Sequence, residues 1–135
     1  MSYEIKTIEG IGPAFGAKLE AAQIKTTDDL LTRGATPAGR KELAEATQIS
    51  EKQLLSWVNM ADLLRVPGVG KEYSELLHAA GVDTIKELRQ RRADNLASKM
   101  AEVNAEKKLA RAVPAEKTVS GWIDAAKGID PKISY

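Results

Sequence analysis

Val66-Pro67-Gly68-Val69-Gly70-Lys71, followed by Leu77-His78-Ala79-Ala80-Gly81-Val82, Thr84 and Leu88, is the stretch from which the fold can be read. Two glycines around one apolar residue, set directly before a helix start, describe a hairpin. Glycine takes positive φ and lets another backbone come close, while the valine between plugs inward. The same pattern stands 58 positions earlier as Ile8-Glu9-Gly10-Ile11-Gly12, with Leu19-Glu20-Ala21-Ala22-Gln23-Ile24, Thr26 and Leu30. A second matching block, Glu51-Lys52 with Trp57 and Ala61 against Glu116-Lys117 with Trp122 and Ala126, lies at an offset of 65, so the second copy holds seven extra residues between its blocks. Self-similarity of this kind marks a duplicated supersecondary unit. It places one repeat at 1–64, a second at 65–127, and an extended, loosely held tail at 128–135.

Working outward, each copy reads as helices only. In the first, Pro13 opens a helix to about Ala22 with Phe15, Leu19 and Ala22 on one face. Thr26 or Thr27 caps a short helix through Leu31, with Asp28 and Asp29 at its positive end. Thr36-Pro37 starts a third helix ending near Thr47, and Ser50 with Gln53 has the spacing of a capping box for a fourth, striped by Leu54, Val58, Ala61 and Leu64. The second copy repeats the plan: a helix over 71–80, Thr84 with Glu87 as a capping box, a longer helix from about Asp94 to Ala110, and Pro114 opening a last one to about Lys127. No stretch alternates apolar and polar residues, so the expected fold is all-α, two tandem repeats packed as one compact helical body. Trp57 and Trp122 hold matched helical positions; core packing is the expected role and base stacking the alternative.

Composition bounds the function. A chain of 135 residues, 43% hydrophobic and 29% charged, buries about two-thirds of its surface on folding and is too apolar to be disordered. With no Cys and one His there is no disulfide framework, thiolate nucleophile or conventional zinc site. The first residues hold no apolar run of signal-peptide length, and no run of about 18 apolar residues occurs, so the cytoplasm is the expected compartment and a membrane is not an expected partner. Net charge is +1. Its halves differ: residues 1–64 carry seven basic and nine acidic side chains, residues 65–135 thirteen and ten. A polyanion should therefore favour the second half.

The hairpin amides, with the positive end of the following helix, form a small anion site suited to one phosphate; the plainer alternative is a tight turn that binds nothing. Residues 66–71 with the helix and turn through Ile85 resemble the helix-hairpin-helix module of DNA repair and recombination proteins, and residues 8–30 resemble it too. Over about residues 5–127 the whole is similar to a bacterial domain family of tandem helix-hairpin-helix units of unassigned function. The resemblance implies amides that hold a DNA phosphate without reading sequence, sometimes with a monovalent cation on hairpin carbonyls, and no other cofactor. Carried over, Gly68, Val69, Gly70 and Lys71 are the first candidates, with Gly10, Ile11, Gly12 and Lys18 as a weaker set. Arg65, Arg89, Arg91 and Arg92 are the basic side chains placed to assist, unless the run is simply a solvated face.

Departures from the pattern touch both copies and count most against the first hairpin. Ala14 and Glu72 stand where DNA-binding members often carry a basic residue, Pro13 removes an amide, Glu9 adds a negative charge, and residues 1–7 are too few for a full preceding helix. Other signals fail. Gly10, Gly12 and Gly16 miss the dinucleotide spacing; Gly34-Ala35-Thr36-Pro37-Ala38-Gly39-Arg40-Lys41 has P-loop glycines but not its Lys and Ser/Thr; His78 shows no orienting carboxylate; Asn104 adds nothing distinctive. No nucleophile–base pair can be argued, so neither an enzyme nor a small-molecule substrate is expected. Two functions remain: a sequence-indifferent DNA-backbone binder working through the second hairpin, or a protein-interaction scaffold that has lost that role.

Overall fold

The computed structural model describes residues 2–135. Among them are a single 3-10 turn, Ile5–Thr7, and eight α-helices: α1 (Pro13–Ala21), α2 (Thr27–Arg33), α3 (Pro37–Thr47), α4 (Glu51–Leu63), α5 (Lys71–Ala79), α6 (Ile85–Leu88), α7 (Ala93–Lys107) and α8 (Glu116–Lys127). Extended pairing among the described residues is one isolated bridge, Glu4 to Thr26, and the all-helical class holds. The chain forms two compact units, one reaching to Arg65 and including Lys132–Tyr135, the other Val66–Pro131.

In the first unit α4 packs on α2 and α3 around Leu19, Ile24, Leu30, Leu43, Leu54, Trp57 and Val58. Local chemistry sets the helix starts. Thr26 and Asp29 form a full capping box, Asp29 N–H to Thr26 Oγ1 at 3.1 Å and Thr26 N–H to Asp29 Oδ2 at 3.1 Å. Thr36 Oγ1 accepts from Gly39 N and Ser50 Oγ from Gln53 N, both at 3.1 Å. The tail departs from expectation. Lys132–Tyr135 belong to the first unit, where Ile133 packs against its core, because buried Arg40 and the Ala35 carbonyl hold the main chain of Ser134.

In the second unit α8 packs on α6 and α7, and α5 on α7, burying Leu76, Leu77, Ile85, Leu88, Leu96, Met100, Val119 and Ile123. Helix α7 stops at Lys107 rather than near Ala110. Lys108 turns to φ 51°, and the Asn104 side chain accepts from Ala110 N–H at 2.9 Å and donates to its carbonyl at 3.0 Å, closing the end. Asn104 is thus a helix-end clamp, a role its type and position did not announce. Helix α8 begins at Glu116; Pro114 lies in the approach.

Both tryptophans are core residues, Trp57 2% exposed and Trp122 3%, which leaves neither ring a face for stacking bases. Phe15, on the face shared with fully buried Leu19, is 38% exposed and meets Trp57 edge-on at 5.3 Å between ring centroids.

Candidate functional site

Each hairpin is built by the same local device. At Gly68 the backbone turns at φ +90°, the Val69 amide donates to the Val66 carbonyl at 3.0 Å, and the Val69 side chain is fully buried. A Cβ on Gly68 would lie 3.1 Å from Trp122 Nε1, so glycine is required twice over, by conformation and by packing. Gly10 matches it at φ +93° with Trp57 Nε1 3.4 Å from its would-be Cβ, and the Ile11 amide donates to the Ile8 carbonyl at 3.2 Å. Tyr73 leans on Trp122 at 5.1 Å as Phe15 does on Trp57.

The second glycine behaves differently. Gly70 is extended (φ −100°, ψ −164°), caps α5 without a side-chain hydrogen bond, and would place a Cβ with no atom within 4 Å. It borders an open cavity of about 450 Å³ lined by Gly68, Gly70, Lys71, Glu72, Tyr73, Arg111 and Ala112. The positive end of α5 faces this hollow's edge.

Arg111, which the sequence places 39 positions away, changes the meaning of Glu72. Glu72 Oε2 accepts from Arg111 Nε at 3.1 Å and Nη2 at 2.9 Å, and Oε1 accepts from the Arg111 backbone N–H at 2.8 Å. The acid beside the second hairpin is therefore neutralised, with a guanidinium side chain 93% exposed at the cavity edge. Arg111's side-chain hydrogen bonds, then its backbone N–H, hold the Glu72 carboxyl below the ordinary glutamate range, and Glu72 raises Arg111 in turn. Because the folded-state value is depressed, the pair's contribution is present above the ordinary glutamate range and fades as pH falls through the lowered value. A carbon-13 NMR titration of Glu72 should show a midpoint below that of a free glutamate, raised by Arg111→Ala, which removes the side-chain bonds and keeps the backbone N–H; a midpoint unchanged by that substitution would contradict the pairing.

A family model described as a domain of unknown function, DUF4332, matches residues 9–129, a span that takes in both hairpins, both tryptophans and all of α1 to α8. The chain belongs to the DUF4332 family. No curated protein and no solved structure matches it.

Within this DUF4332 domain the remaining candidates scatter. Arg65 groups with the first unit and is half-buried, its Nε on Asp62 Oδ1 at 3.1 Å, so it serves an ion pair at the end of α4. Arg89 and Arg91 are half-buried, Arg92 pairs with Asp94 Oδ2 at 2.9 Å, and none of the three lines the cavity. Lys71 is exposed and does line it. Around the first hairpin, Gly12 is open like Gly70, Pro13 occupies the first helical position, and Lys18 Nζ lies 5.8 Å from the Phe15 ring centroid. His78 does have an orienting carboxylate: its Nδ1 meets Asp83 Oδ1 across the Gly81 turn, on the surface. Among the described residues no helix is long and apolar enough to cross a membrane.

Proposed function

We propose that this chain is a non-enzymatic, helix-hairpin-helix-type module that binds the DNA phosphate backbone through its second hairpin, indifferent to sequence. The observation that carries the reading is Gly70. Neither backbone conformation nor packing within the chain calls for glycine there, whereas close approach of a phosphate to the α5 amides would. Lys71 and Arg111 border the same cavity and supply cations. The set is small: if two to four phosphates are engaged, log affinity falls against log salt with a slope of roughly −2 to −4.

Fluorescence anisotropy with labelled duplexes at low salt tests this. Lys71→Glu should weaken binding to all sequences alike, and Lys18→Glu should change little. Gly70→Val should remove binding by filling the phosphate approach while leaving the circular dichroism unchanged, since its side chain enters open space. Absence of binding at tens of micromolar protein, or indifference to Lys71→Glu, would leave the protein-interaction reading in possession.

A further inference from the structure

We propose that the first unit carries a binding seat for an extended peptide, filled in this structure by the chain's own residues 133–135 and open to a second peptide of like chemistry when they leave. The seat is built from residues 34–41, whose two glycines lie in close packing. A Cβ on Gly34 would lie 2.5 Å from Val58 Cγ2 and 3.1 Å from the Leu30 carbonyl, and one on Gly39 would lie 2.2 Å from the Arg33 carbonyl. At both positions the unit's own core and backbone leave no room for a side chain.

Arg40 lies in the same stretch, 5% exposed. Its Nη1 donates to the Gly34 carbonyl at 2.8 Å and its Nη2 to the Ser134 carbonyl at 2.8 Å, and among the described residues no carboxylate pairs with it. The Ser134 N–H donates to the Ala35 carbonyl at 2.8 Å, so both main-chain groups of one tail residue are bound, one by the turn before α3 and the other by Arg40 of α3. Ile133 packs against the core beside it. Reading main-chain groups at one residue and an apolar side chain at its neighbour is how extended peptides are recognised at strand-like docking sites. The ligand class follows: an extended segment with a β-branched aliphatic residue, then any residue except proline. The buried guanidinium supplies the drive, because half of its fork is left without a protein acceptor once the Ser134 carbonyl departs.

The test uses the full chain carrying Ile133→Asp with Ser134→Pro, which removes the apolar anchor and the N–H donor, and a fluorescent peptide Ile-Asp-Pro-Lys-Ile-Ser-Tyr copied from residues 129–135. Anisotropy should show the peptide binding this variant at least tenfold more tightly than the unaltered chain, whose seat is occupied. The same peptide with proline in place of its serine should not bind. If the double variant loses its helical circular dichroism, Ser134→Pro alone is used with the same readings. No binding to a folded variant, or equal binding to variant and unaltered chain, would overturn the proposal.

Discussion

Trp122→Ala is expected to lower the stability of the chain by about 3–5 kcal/mol, the range for removing a fully buried large aromatic side chain. The indole is 3% exposed, lies with its Nε1 edge against Gly68, and meets the tilted Tyr73 ring at 5.1 Å between centroids. Its removal opens a cavity and withdraws the surface on which the hairpin rests. Trp122→Phe keeps an aromatic partner for Tyr73 and should cost clearly less. Phe15→Ala is the control of opposite kind: with Phe15 38% exposed, it should cost about 1 kcal/mol, scaled from the apolar area removed. Urea unfolding followed by far-ultraviolet circular dichroism gives all three. A loss below 1 kcal/mol for Trp122→Ala would mean that the ring is not part of the core.

Gly68→Val and Gly70→Val, two residues apart in one hairpin, should differ sharply. At Gly68 the backbone sits at φ +90°, a region costing a non-glycine residue about 1–3 kcal/mol, and the new Cβ would meet Trp122 Nε1 at 3.1 Å. A β-branched side chain adds crowding, so a loss of about 3 kcal/mol is expected. At Gly70 the backbone is extended and the space open, so the change should stay within about 1 kcal/mol. Thermal melts of the two variants decide the matter. Equal destabilisation would show that the hairpin needs both glycines for folding, and Gly70 would no longer point to a ligand.

The elements legible in the sequence are those whose causes lie within a few residues. Thr26, Thr36, Ser50 and Thr84 each bond an amide three positions on, so helix starts follow from spacing alone. The Val66–Val69 and Ile8–Ile11 hairpin bonds are equally local, and the recurrence of tryptophan at one helical position announced a packing role. Even so, a local signal could be passed over: Asp62 and Arg65 are three apart, and His78 and Asp83 five apart, yet their pairing depends on how each helix ends.

What only the tertiary structure decided are the contacts that residue order does not encode. Glu72 reads from the sequence as a charge opposing phosphate; Arg111, 39 positions on, turns it into half of an ion pair at the cavity edge. Arg40 reads as a failed phosphate lysine; Ser134, 94 positions on, makes it the anchor that ties the tail to the first unit. The physical reason is common to both. Caps, turns and periodic stripes depend on backbone bonds of short range, which composition and spacing report directly. The partner of a charged side chain is set by which helices pack and where their loops come to rest, and that depends on the burial of the whole unit.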